Sequence, residues 1–235
     1  MPIRARVFVP AVMLAGVSLA AACRHATSPN GTAPVAHLRV LNTSPGDGPV
    51  DVLVFGRVVI ASLASGSVSP VVDVPAGAQA VSFRRAGAGA AGAASTVSFA
   101  VGDTTTLLTV DSGTVINPWE LTDTGATVPA GRSKLRVVHF ARSAPEVLFW
   151  RSQPDFPDFT TIMFPFPYRS VSAYLESDPG DWRIFMATAR YSGATPVATD
   201  TLYMSPVVAV PAGVARTVIF LDGDGGGYRV AVLTP

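Results

Sequence analysis

The strongest constraint on the fold is an internal repeat. Leu38-Arg39-Val40-Leu41-Asn42 returns as Leu135-Arg136-Val137-Val138-His139, and each is followed by a turn and a second apolar segment, Pro49 to Phe55 in one copy and Pro145 to Trp150 in the other. Ser67-Val68-Ser69 is matched by Ser170-Val171-Ser172, with a turn glycine eight residues further on in both, Gly77 and Gly180. Both copies close on an apolar stretch that runs into an Asp/Gly turn, at Asp111 and at Asp222. The order of these signals is kept throughout, so one supersecondary plan is used twice.

Each copy reads as short strands at regular spacing. Apolar and polar residues alternate in Val50 to Phe55, Ala80 to Phe83, Thr96 to Val101 and Thr217 to Leu221, while heptads and long amphipathic stretches are absent. Gly77, Gly102, Gly180 and Gly213 fall where hairpins should turn, with Pro75, Pro179 and Pro211 nearby. Seven or so strands per copy, each with one apolar face, predict an all-β fold of two tandem antiparallel β-sandwiches, immunoglobulin-like or transthyretin-like, after an N-terminal signal segment. The expected division is a signal peptide over 1–22, a tether over 23–36, a first repeat over 37–122, a Thr/Gly/Pro/Ala linker over 123–133 and a second repeat over 134–235.

The repeated residues also carry a family resemblance. Arg136-Val137-Val138-His139 followed by Ala144-Pro145, and Arg39-Val40-Leu41-Asn42-Thr43-Ser44-Pro45 followed by Pro49-Val50-Asp51-Val52, resemble the opening R-V-V-H-x-S-P-x-A-P of the bacterial envelope family called domain of unknown function 4397. Val74-Pro75-Ala76-Gly77 resembles it too. The first copy has Asn42 where the family has His; the second replaces Ser-Pro with Ala141-Arg142 and lacks the Val-Asp-Val triplet. The resemblance implies an exported tandem β-sandwich protein, often a lipoprotein, and no established activity.

Arg4 and Arg6, without an acid, precede an apolar run from Val7 to Ala22 that ends at Cys23. This is the layout of a secretory signal, and the run is shorter than the ~20 apolar residues that span a bilayer. Cys23, the single cysteine, sits where a lipobox carries its acylated residue, although the position three before it is Ala20, with Leu19 one step further back. An ordinary signal peptidase cutting at Ala20-Ala21-Ala22 is the competing reading. A lone cysteine in an exported chain has no internal disulfide partner, and acylation gives its thiol a purpose. Arg24 follows in place of an Asp retention signal, which by analogy with diderm bacteria points to the outer membrane, with either leaflet open. The polar stretch from Arg24 to Pro34 suits a tether.

A formal net charge of +1 with 14% charged residues gives no ground for a basic face that would take nucleic acid. No H-E-x-x-H, C-x-x-C or G-x-S-x-G occurs, and neither Ser67 nor Ser170 has a nucleophile setting. His139 reads as a strand-end residue and no residue is assigned a catalytic role. Asp222-Gly223-Asp224-Gly225-Gly226-Gly227 offers alternating carboxylates that suit calcium, but it has no distal Glu, and a hairpin turn explains Asp and Gly equally. Asp222 and Asp224 are therefore the candidate metal ligands.

An insertion between Trp150 and Arg169 in the second copy holds Phe156, Phe159, Phe164, Phe166 and Tyr168 among four prolines. These aromatics form either a platform for a sugar or a partner protein, or a cover over the sandwich. The function expected from the sequence is a non-enzymatic, lipid-anchored envelope protein whose sandwich modules bind an envelope protein or glycan or serve structurally. The alternative is an enzyme or accessory subunit acting on envelope polysaccharide.

Overall fold

The opening motif of each repeat is apolar on two faces, and the fold uses both. A computed structural model describes residues 33–234 apart from 47, 112–114, 124, 154–159 and 194, so Cys23, Phe156 and Phe159 lie outside the described residues. The first repeat holds β1 (Val35–Leu41), β2 (Val50–Val54), β3 (Arg57–Leu63), β4 (Val72–Pro75), β5 (Gly77–Arg85), β6 (Ser95–Phe99), β7 (Thr104–Asp111) and β8 (Ile116–Leu121). They form two sheets, β4-β1-β7-β8 and β3-β2-β5-β6.

The second repeat holds β9 (Ser133–Phe140), β10 (Val147–Ser152), β11 (Thr160–Phe166), β12 (Ser170–Val171), β13 (Leu175–Ser177), β14 (Gly180–Ser192), β15 (Thr195–Met204), β16 (Val208–Val210), β17 (Ala215–Asp222) and β18 (Tyr228–Leu233). Its sheets are β12-β9-β17-β18, with β13 also on β9, and β11-β10-β14-β15, with β16 also on β14. The plan of the first repeat therefore returns, with β4 represented by β12 and β13 and β6 by β15 and β16. An immunoglobulin constant domain groups its strands ABED and CFG. The order here, lettered by chain position, is DAGH and CBEF, which differs from that grouping.

The sheets are not wholly antiparallel. β1 runs parallel to β7, and β9 parallel to β17. This pairing places the first strand of each repeat in the middle of its sheet, where an edge would otherwise stand open.

Side-chain alternation along β1 sends Ala36, Leu38 and Val40 into the core of the first sandwich and turns Arg39 and Leu41 the other way. In β9, Leu135 and Val137 enter the second sandwich while Val138 and Phe140 face outward from it. Those outward residues meet. Leu41, Leu108, Val110 and Leu121 of the first repeat share a third core with Val138, Phe140, Ile219, Leu221, Ala231 and Leu233 of the second. The sheets β4-β1-β7-β8 and β12-β9-β17-β18 are thus covered on both faces. Such strands read as continuous apolar runs rather than as alternation, which is why Val218-Ile219-Phe220-Leu221 is fully buried throughout. Full burial of each Leu, Ile or Phe stabilises by roughly 1.5–3 kcal/mol, so the third core is a major source of stability.

Residues 33–235 cluster as one compact unit. The repeated arginines reinforce it. Arg136, 3% exposed, donates from Nε to the Thr217 hydroxyl (2.9 Å) and from Nη1 to the Thr122 carbonyl that follows the last strand of the first repeat (2.8 Å). Arg39 donates to the Thr106 hydroxyl (2.9 Å) and to the Thr234 carbonyl that follows the last strand of the second repeat (2.5 Å). Each repeat's opening arginine therefore fastens the end of the other. The repeated serines have an equally local purpose: Ser69 and Ser172 accept from the backbone N–H of Val40 and Val137, both at 2.9 Å.

Candidate binding cleft between the repeats

Two ends of the inter-repeat seam are related by the repeat but are built differently. Gly66 immediately precedes Ser67-Val68-Ser69 as Arg169 precedes Ser170-Val171-Ser172, and the two share one backbone conformation, φ 69° and 70°. Opposite them, Asn117 pairs with Val110 in the β7–β8 hairpin as Arg229 pairs with Leu221 in the β17–β18 hairpin.

At the first end Gly66 faces Arg229 so closely that a Cβ on residue 66 would lie 2.4 Å from the guanidinium carbon. Arg229 grips Asp224 through two donors (2.9 and 3.1 Å) and donates to the Ser65 hydroxyl (2.7 Å). These bonds hold the Asp224 carboxyl below the usual carboxylate range, with the Ser65 hydroxyl contributing most. This end is closed.

At the second end Arg169 occupies the glycine position. A non-glycine residue there carries a backbone cost of about 1–2 kcal/mol. Its guanidinium lies 5.3 Å from the centre of the Tyr168 ring, and its amide donates to the His139 carbonyl (2.8 Å). Arg142 follows β9, and its Nη1 donates to the Asp111 carbonyl (3.2 Å). Its backbone position is fixed because the Asp222 carboxylate accepts from the amides of Arg142 (2.9 Å) and Ser143 (3.1 Å) and from the Ser143 hydroxyl. Among the described residues neither Arg142 nor Arg169 forms an ion pair. Asn117, Pro118 and Trp119 of β8 complete an open cleft of about 540 Å³, which Asp111 and Val110 also border.

The cleft floor is aromatic. Phe140, buried, packs against Trp119 (ring centres 5.1 Å apart) and Tyr168 (5.3 Å). Behind it His139 is fully buried, edge-on to Phe149 and Tyr168, with Nε2 at 3.3 Å from the Pro145 carbonyl. Burial lowers its pKa below the ordinary histidine value, so the ring is neutral and donates from Nε2 to that carbonyl.

A neighbouring cleft of about 560 Å³ also borders Trp119, and there Arg136 and Tyr174 are already engaged. Arg136 lies 4.4 Å from the Tyr174 ring centre and pairs with Asp123 (2.9 Å), to which the Tyr174 hydroxyl also donates (2.7 Å). Burial is the main cause of a Tyr174 pKa pushed up to about 12.

Of the insertion aromatics, Phe166 is 1% exposed and belongs to the second core. This removes Phe166 from the platform reading of the insertion and places it with the rings that pack on the sandwich, and the reason is register. Phe166 pairs with Val147 in β11 as Leu63 pairs with Val50 in β3, so the insertion supplies an ordinary inward-facing strand residue. Phe164 lies in β11. Tyr168 is half-buried and is the one insertion aromatic that the described structure brings to the cleft. Asp222 and Asp224 stand at the β17–β18 hairpin, held by amide, hydroxyl and guanidinium donors as above. Among the described residues no three His, Cys, Asp or Glu side chains converge on a metal position.

Sequence reasoning missed Arg142, Arg169 and Asn117. The available signal was the departure of one copy from the other: Arg169 against a turn glycine, and Ala141-Arg142 against Ser-Pro.

The family model described as "Domain of unknown function (DUF4397)" matches residues 36–150, from β1 through β10. No protein of curated function matches the chain.

Proposed function

We propose that this chain, whose residues 36–150 belong to the family of domain of unknown function 4397, is a lipid-anchored envelope protein of a bacterium that acts as a non-catalytic binding module. The anchor is Cys23, behind an apolar run with Arg4 and Arg6 ahead of it, and Arg24 favours the outer membrane. The observation that supports binding best is the open end of the seam. Arg142 and Arg169 stand there beside Trp119 and Tyr168, while at the other end Arg229 is closed on Asp224 and Ser65.

The non-catalytic reading is supported by how the titratable groups are engaged. His139 is buried behind Phe140, and the Asp222 and Asp224 carboxylates accept from neighbouring donors. None of these is poised to move a proton to or from a bound substrate.

Mass spectrometry of the mature N-terminus, with and without globomycin, tests the anchor: diacylglyceryl-Cys23 is expected, and an unmodified Cys23 overturns it. A glycan array and an affinity pull-down with the full chain test the module, and failure to retain any envelope glycan or protein argues against it.

A further inference from the structure

We infer that the cleft bounded by Arg142, Arg169 and Trp119 binds the carboxylate-bearing sugar units of an acidic polysaccharide, hexuronic acids being the simplest. This rests on the binding-module reading and names its ligand class.

Arg169 is the point of departure. The backbone at this position suits glycine, and the other repeat uses glycine there. A strained residue persists when the surrounding structure holds it, and such residues cluster where a ligand is clamped. Arg169 gains no carboxylate in return among the described residues, and its side chain lies exposed beside Tyr168.

Arg142 points the same way. Asp222 anchors its amide, so the base of the side chain is fixed, while among the described residues only Nη1 of its guanidinium has a partner, the Asp111 carbonyl. Two guanidiniums on one rim present planar donor forks that match a carboxylate.

The walls decide what carries that carboxylate. A free inorganic anion would leave the aromatic surface unused. Trp119, braced by Phe140, lines the cleft as an aromatic surface for the apolar C–H side of a pyranose, Tyr168 supports the Arg169 guanidinium beside it, and Asn117 brings an amide able to both donate to and accept from ring hydroxyls. At about 540 Å³ the cleft has the size of a small-molecule site. Its open form suits internal units of a polymer as well as a chain end.

The test is calorimetric titration of the full chain with trigalacturonic acid, the neutral galactose trimer and inorganic sulfate. The expected result is binding of the uronate trimer, with the neutral trimer and sulfate weaker by about ten-fold or more, since charged hydrogen bonds are being removed. Arg169→Gly restores the residue of the first repeat. It should weaken uronate binding by about ten-fold or more while the melting temperature holds or rises. Trp119→Ala should weaken both sugars.

Absence of uronate binding, equal affinity for the neutral trimer, equal affinity for sulfate, or unchanged affinity in Arg169→Gly each overturns the assignment. If the uronate trimer is not bound while the array or pull-down still retains a glycan or protein, this cleft assignment falls alone and the binding-module reading stands.

Discussion

At one end of the seam Gly66 leaves room for Arg229; at the other Arg169 stands in the glycine position and lines a cleft with Asn117. The φ angle of the turn residue is the same at both ends. What differs is the element of the second repeat that contributes the arginine, the β17–β18 hairpin at the first end and the turn before β12 at the second. An arginine reaching from the hairpin over a glycine closes the seam with Asp224 and Ser65, whereas an arginine on the turn lies outside it and leaves a cleft. A duplicated fold thus acquires a distinct surface by exchanging the side on which one charge resides.

The largest expected effect is at Phe140, which braces the open end from within the shared core. Phe140→Ala should cost about 3–5 kcal/mol, and urea unfolding should remain a single transition. Two separate transitions would mean that the repeats are not joined by that core. Gly66→Ala probes the closed end. It introduces a strained φ and a Cβ against Arg229, and a loss of about 1–2 kcal/mol in chemical denaturation is expected, whereas Arg169→Ala should leave stability nearly unchanged. Equal losses at both sites would erase the distinction between the ends.

Histidine 139 gives the comparison a pH axis. Its folded pKa lies below its unfolded value, so the native state binds fewer protons; stability is complete above about pH 6.5 and falls as pH drops toward and through the folded pKa. His139→Asn, the residue that the first repeat has there, should flatten the urea midpoint measured between pH 8 and pH 5. The smallest effect belongs to Asp224→Asn. Its carboxylate and the Arg229 guanidinium are 52% and 26% exposed, so a double-mutant cycle should give at most ~1 kcal/mol, falling further in high salt.

Much of the fold was legible because the repeat fixes the order of strands, and the glycines at 77, 102 and 213, all with positive φ, mark real turns. The shared core was less visible. Its signal lies in consecutive apolar pairs such as Val40-Leu41, Leu107-Leu108 and Val137-Val138, which fill two faces at once but which a single half-buried strand would also tolerate at its end. The parallel pairing of β1 with β7 has no local signature, since it joins strands more than 60 residues apart by register alone.

The candidate site was largely hidden for a similar reason. Phe166 and Tyr168 are two residues apart, yet β11 turns the first into the second core and the chain leaves the strand before the second, which reaches the seam. The first repeat meets the corresponding corner with polar groups instead. Asn42 donates to the Leu63 carbonyl (2.9 Å) and accepts from Thr109 (3.2 Å), where His139 sits among Phe149 and Tyr168. Neither solution is visible from residue type without its partners.

The facing inner sheets also set a limit on copy number. Each repeat uses its partner as the lid for β4-β1-β7-β8 or β12-β9-β17-β18, and the terminal carbonyls at Thr122 and Thr234 are both engaged by the arginine opposite. A third copy joined to this chain would meet no bare inner sheet. The pair is saturated, and an architecture of this kind lengthens by whole pairs or leaves an odd copy with an apolar face to hide elsewhere.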